Sequence, residues 1–230
     1  LYFAVGSLPF SCLFITFATV FAEDKALSFT MDKTYRISDF MALEHPAVYA
    51  DSSCFVLSPL DDYQSLCGGM MVNGLLFLFC MGGEVSLRVS GRLLTIAAGS
   101  CLVSPPNTML EGIRLSAGGT AVLVGYSMEI LMRMLTGSGR VMKVIKAFGQ
   151  RTVISNDERY NYNRINTFLS ILRYRNASND LYHDELVYHL FASLLFDVIN
   201  DLHIPAGREE GEADGASHYR TEHLYKQFMT

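Results

Sequence analysis

The sequence is poor in charge, has no paired cysteines, and is empty of histidine along most of its length. Only 18% of the 230 residues are charged while half are hydrophobic. That leaves enough apolar material for a packed core and excludes an intrinsically disordered chain. There is no basic surplus either: the formal net charge is -5, so bare electrostatics does not direct this stretch to a phosphate backbone. The five cysteines (Cys12, Cys54, Cys67, Cys80 and Cys101) are odd in number, widely spaced and never in a CxxC pair. This excludes zinc-finger spacing and a secreted disulfide framework, and reads as buried thiols in a reducing compartment. No histidine lies between His45 and His183, so no set of imidazoles is available there to hold a borderline metal ion. No GxSxG elbow occurs, and Gly137 and Gly139 form a GxG without the third glycine of a nucleotide fingerprint, so that stretch reads as a loop.

What is present begins with an uncharged run, Leu1 to Ala22, closed by Glu23-Asp24-Lys25. It lacks a basic start, and Met31-Asp32-Lys33 resembles an ordinary beginning. Residues 1–30 therefore read as upstream sequence, with an export signal or a membrane anchor as the alternatives. From residue 35 to 126 short apolar stretches alternate with turn signals. The run Met71-Val72 then Leu75 to Cys80 is a buried strand bounded by Gly68-Gly69 and Gly82-Gly83. Glu84 to Ser90 alternates strictly, with Val85, Leu87 and Val89 on one face and Glu84, Ser86 and Arg88 on the other. Gly91-Arg92 is expected as the turn, with Leu93–Ile96 as the return strand. Ser100–Ser104, Met109–Leu115 and Thr120–Tyr126 complete the series. Turns at this spacing, with no amphipathic helix between them, predict an antiparallel sandwich or barrel.

After Tyr126 the period becomes helical. A short helix covers 129–135. Asn156-Asp157 is placed to cap a second that runs to about Arg175, with Ile165, Phe168, Leu169 and Leu172 on one stripe. A third runs from about Leu181 to His203. Its stripe of Val187, Leu190, Leu194, Val198 and Leu202 is flanked by Leu186, Phe191, Leu195 and Ile199. A face that wide exceeds what one neighbour covers, so Val187, Leu190, Leu194 and Val198 are expected to pair with a second copy. His183 and His189, six residues apart, share no ligand face and read as solvated or hydrogen-bonded helix residues; Tyr160 and Tyr162 read as packing at a helix end. Pro205 ends the helix. The acidic, glycine-rich Ala206 to Ser217 reads as a linker, and Tyr219 to Met229 as a new amphipathic helix with Leu224 and Phe228 four apart.

This order of parts resembles regulators of the AraC family. Gly83-Glu84-Val85 through Gly91, Gly99 and Pro105-Pro106 is similar to that family's cupin-type sensor. Arg220, Leu224 and Phe228 resemble the opening helix of its DNA-binding domain, which carries two helix-turn-helix motifs. The resemblance covers residues 35–230. It implies an α+β fold, in which a cupin-like antiparallel β-barrel (a double-stranded β-helix) is followed by two antiparallel helices. The corresponding divisions are a sensor barrel over 31–128, a helical dimerisation region over 129–204, a linker over 205–218, and the start of a truncated DNA-binding domain over 219–230. It further implies a cytoplasmic homodimer that senses a small-molecule effector, reaches DNA only through the missing domain, and has no membrane partner and no cofactor. For the effector the sequence offers Arg88, Glu111, Arg114 and Tyr126 as polar groups, with Phe77 and Phe79 as apolar lining. For the charged ones a plain surface role competes, and the phenylalanines alternatively fill the barrel. Where the cupin metal motif continues past Gly99 and Pro105, this chain departs from it: Asn107 stands at a glycine position and Leu110 at the metal-binding histidine. No catalytic and no metal-ligating residues are therefore assigned. The rival readings are a metal-dependent cupin enzyme and a cyclic-nucleotide receptor; the latter lacks an arginine suitably placed after Gly83-Glu84.

Overall fold

A strand whose apolar residues alternate can bury only one face, whereas a strand apolar throughout needs cover on both. Both kinds are present, and they sort into two sheets. The computed structural model describes residues 34–136, 152–155, 158–178 and 181–203, all within one unit, Asp32–Thr230. The readings made on residues 1–30, Gly137 and Gly139, the linker 205–218 and the helix at 219–229 lie outside the described residues.

The strands are β1 (Thr34–Tyr35), β2 (Tyr49–Ala50), β3 (Cys54–Leu57), β4 (Gly69–Val72), β5 (Leu75–Gly82), β6 (Glu84–Val89), β7 (Arg92–Ala97), β8 (Ser100–Ser104), β9 (Met109–Leu115), β10 (Thr120–Tyr126) and β11 (Val153–Ser155). One sheet has the order β1-β4-β9-β6-β7, the other β11-β8-β5-β10-β3-β2. From β3 to β6 each successive strand changes sheet. The β6–β7 hairpin then turns the chain, and β7 to β10 change sheet again on the way back. This is the double-stranded β-helix of the expected α+β fold, built as two facing sheets and not as a closed cylinder.

In β6, Val85, Leu87 and Val89 are buried and Glu84 and Arg88 exposed, as the alternation predicts. The hairpin turn sits one residue earlier than expected. Ser90 and Gly91 both have positive φ (48° and 80°), the requirement of a two-residue primed turn, and Arg92 already pairs with Val89. In β5 all of Leu75 to Met81 are buried. Leu76, Leu78 and Cys80 meet Val85 and Leu87 in the core between the sheets. Leu75, Phe77, Phe79 and Met81 point the other way, into a second core shared with the helices. Next to β5, Gly125 of β10 leaves room for the Phe55 ring; a Cβ there would come within 2.1 Å of it.

The helices are α1 (Met128–Thr136), α2 (Glu158–Asn176) and α3 (His183–His203). Ser127 Oγ caps α1 by accepting from the Ile130 amide at 3.3 Å. The buried stripe of α2 is Ile165, Phe168, Leu169 and Leu172, as its period predicts. On α3 Phe191 and Leu195, expected only as flanks, are as fully buried as Val198 of the stripe. The ring edges of Phe191 meet Tyr126 and Phe168 nearly at right angles, with centroids 5.6 and 5.4 Å apart. Among the described residues no helix is long and apolar enough to cross a membrane.

Candidate functional site: a groove between two helices

The helices α2 and α3 run antiparallel, because the start of one is tied to the end of the other. Arg164 Nη1 donates to Asp201 Oδ2 at 2.6 Å, and both side chains are about nine-tenths buried. An ion pair so far out of water holds only with good geometry, and it fixes the register of the two helices. Between them runs a groove of about 390 Å³.

The groove is polar at one end and apolar at the other. Near the ion pair it is lined by Asn163, Arg164, Thr167 and Asp197; toward the closed end of the hairpin it is lined by Ile171, Leu190 and Leu194, with Phe168 and Ser193 between. The gradient follows from helical spacing: Asp197 and Leu190 are two turns apart on α3, a span of about 10 Å. Asp197 has no hydrogen-bond partner among the described residues. Its carboxyl lies above the usual carboxylate range: burial raises it, Arg164 opposes this, and Asp201 adds to it. Arg164 also reaches under the groove floor, its guanidinium carbon 6.0 Å from the centroid of the Phe79 ring.

The six residues offered for an effector do not come together. Arg88 and Arg114 are exposed and Glu111 half-buried; Arg88 pairs in register with Glu111, and Arg114 with Ser86. Phe77, Phe79 and Tyr126 are buried in the other core, against the helices. There Tyr126 Oη donates to the Phe191 carbonyl at 3.1 Å, and burial pushes its hydroxyl well above the ordinary tyrosine range. Of the six, Phe79 is the one that Arg164 links to the groove.

Of the four residues expected between subunits, Val187, Leu194 and Val198 are buried within the same chain. Leu190 is half-buried and lines the groove. The large apolar residues left exposed on the helical pair are others, Tyr162, Ile171, Tyr174 and Leu186, with Leu181 and Tyr182 in the turn. The widest apolar stripe was legible; which part of it faces inward was not.

Cys54, Cys67, Cys80 and Cys101 are buried and unpaired with one another. Burial raises the thiols of Cys54 and Cys101, and a nearby carboxylate adds to the effect at Cys54, so neither supplies a thiolate. His183 Nδ1 is buried without a hydrogen-bond partner among the described residues, and His189 is exposed with its ring 5.3 Å from that of Tyr188. Tyr162 is exposed, while the side chain of Tyr160 lies outside the described residues. Among the described residues no three His, Cys, Asp or Glu side chains form a group able to hold a metal ion. Sequence reasoning missed the polar cluster in which Tyr49 Oη donates to Asp51 Oδ2 at 2.6 Å while Asp51 Oδ1 accepts from the Ser53 and Cys54 amides. An Asp-Ser-Ser turn before a strand was its signal.

Comparison with solved structures finds distant, partial matches. One is ToxT K231A from Vibrio cholerae, at 8% identity and TM-score 0.39, covering 63% of this chain and 54% of that one. Another is the AraC-like transcriptional activator CuxR, at 10% identity and TM-score 0.38, covering 74% and 56%. A third is ToxT from Vibrio cholerae O395 bound to (E)-4-(8-methylnaphthalen-1-yl)but-3-enoic acid, at 11% identity and TM-score 0.36, covering 77% and 76%. The chain thus spans little more than half the length of the first two. No family model matches it, and no curated protein does.

Proposed function

We propose that this chain is the effector-sensing and self-associating part of a cytoplasmic transcription regulator of AraC type. The observation that carries this reading is the two-sided use of the helical pair. One side of α2 and α3 seals the outer face of the six-stranded sheet, with Phe168, Leu172, Phe191 and Leu195 buried there. The other side keeps apolar residues in water, and Tyr174 is 68% exposed. A helical pair that buries most of its apolar residues in its own core and still exposes Tyr162, Ile171, Tyr174 and Leu186 has a surface left over for another body. In a homodimer the two copies present the same patch to each other, which suits a short antiparallel pair.

The contact belongs to the outward residues Ile171, Tyr174 and Leu186, with Leu190 at its border. Val187, Leu194 and Val198, named from the sequence, serve their own core instead. The resemblance at Arg220, Leu224 and Phe228 supplies the rest of the reading, in which DNA is reached through a domain that begins near residue 219.

Sedimentation equilibrium at tens of micromolar tests the association. A dimer is expected, converted to folded monomer by Tyr174→Glu with Leu186→Glu; a strict monomer from the start sinks the self-association. A metal-dependent enzyme would be revived by stoichiometric iron, manganese or zinc in protein purified without chelators. A cyclic-nucleotide receptor would be revived by measurable heat on titration with cyclic nucleotides.

A further inference from the structure

We infer that β7 is a second self-association surface, which pairs edge to edge with β7 of another copy and joins two five-stranded sheets into one. It lies on the sheet that the helices do not cover, and it is independent of the contact proposed for them.

A strand at the edge of a sheet carries a row of unpaired N–H and C=O groups. Folded chains protect such edges by keeping them short, charged, bulged or interrupted by proline. Three of the four edges here are short: β1 and β2 have two residues each and β11 has three. The fourth, β7, has six and lacks the other protections. It contains no proline, its one charge is Arg92 at the first position, and it runs against β6 without a register shift. Among the described residues no strand pairs with its outer side, and Leu93, Thr95 and Ala97 are exposed.

The β6–β7 hairpin decides which backbone groups point outward. Arg92 pairs with Val89 beside the two-residue turn, and the Ala98 amide donates to the Gly83 carbonyl at 2.9 Å. The even-numbered residues therefore bond to β6, and Leu93, Thr95 and Ala97 turn both backbone groups away from the sheet. Two such edges meet antiparallel about a two-fold axis beside Thr95. Leu93 then falls opposite Ala97 of the second copy, and Thr95 falls opposite Thr95. Each of these pairs exchanges two hydrogen bonds, so every outward group is satisfied. Moving the axis to Leu94 would leave Ala97 against Gly91 of the turn.

The axis at Thr95 also suits the side chains. Arg92 falls opposite Ala98 of the second copy, far from the other Arg92. Arg88 beside Leu93 and the second copy's Glu84 beside Ala97 end the same row with opposite charges. On the core side, half-buried Leu94 gains cover from Ile96 of the second copy. An edge contact of this length is smaller than a standard interface, so it forms at concentrations on the order of hundreds of micromolar, above those at which the helices associate.

Sedimentation equilibrium of the full chain carrying Tyr174→Glu and Leu186→Glu isolates the contact. This variant is expected to be monomeric at tens of micromolar and to dimerise as the concentration approaches about 1 mM, with deuterium exchange slowing most at the Leu93, Thr95 and Ala97 amides. Thr95 is exposed and meets itself across the axis. Thr95→Lys and Thr95→Glu, added singly, should therefore keep the fold and each weaken the pairing severalfold, and an equal mixture of the two should restore it. Absence of association up to that concentration overturns the pairing in favour of an edge that stays solvated or takes an extended segment of another protein. Association that both Thr95 variants leave unchanged overturns it in favour of a different surface. Weakening that the mixture fails to restore overturns the two-fold axis at Thr95. The chain with Tyr174 and Leu186 intact keeps the two contacts apart: dimers at tens of micromolar that become tetramers support both, and monomers that become dimers only when concentrated end the helical contact and spare this one.

Discussion

The two sheets of this domain are made from the same kinds of residue but teach opposite lessons about reading a sequence. The five-stranded sheet keeps one face in water, and its strand β6 announces this by alternation: Val85, Leu87 and Val89 in, Glu84 and Arg88 out. The six-stranded sheet is covered twice, by the other sheet and by helices, and β5 reads Leu-Leu-Phe-Leu-Phe-Cys-Met without interruption. Alternation fixes which side a residue faces. A continuous run says only that both sides are covered.

The largest effect that would sharpen this contrast is truncation on either sheet. Phe77→Ala, in the doubly covered strand, is expected to cost about 4 kcal/mol, read as a lowered urea midpoint. Leu93→Ala, on the solvated sheet at 67% exposure, should change stability by less than about 0.5 kcal/mol. Similar losses at both positions would break the distinction between the sheets. A smaller effect is expected from Tyr126→Phe. The ring stays in place while the bond to the Phe191 carbonyl is lost, at a cost of about 1 kcal/mol in the same measurement. An unchanged midpoint would mean that packing alone joins sheet and helix.

The smallest effect lies at Asp197 and depends on pH. Its carboxyl is raised in the folded chain, so the charged form is disfavoured there relative to the unfolded chain. Its contribution to stability is therefore full in acid, below the unfolded value, and is lost as pH rises through the folded value. Asp197→Asn should gain a little stability over the parent at neutral pH and none at pH 3. Thermal melts at the two pH values compare them, and a gain that persists in acid would assign the effect to something other than charge.

Much of the scaffold was legible before any coordinates. Strands β8, β9 and β10 begin and end where the sequence places them, because Gly99, Pro105-Pro106 and Gly118-Gly119 interrupt the apolar stretches. The helices are found within two residues of their expected ends. The short elements between Thr34 and Leu57 were not anticipated, since two- to four-residue strands carry too little periodicity to register. For the same reason the run from Met71 to Cys80, read as one strand, is β4 and β5 in different sheets, parted at Asn73-Gly74. The candidate site was less legible. Arg164 on α2 lies more than thirty residues before Asp197 and Asp201 on α3, and their meeting depends on the register between the two helices. Phe77 and Phe79 were expected in a sensor pocket, but nothing in an uninterrupted run tells odd positions from even ones.

Strand β5 has one further property. It is hydrogen-bonded on both edges, to β8 and β10, while its faces are covered by two separate cores. Its amide protons have no local route to water, so deuterium reaches Leu76 to Phe79 only when the whole domain opens. In a lone subunit, edge strand β7 can fray by itself and should exchange early. The centre of the six-stranded sheet is thus the clock by which the lifetime of the intact fold is read.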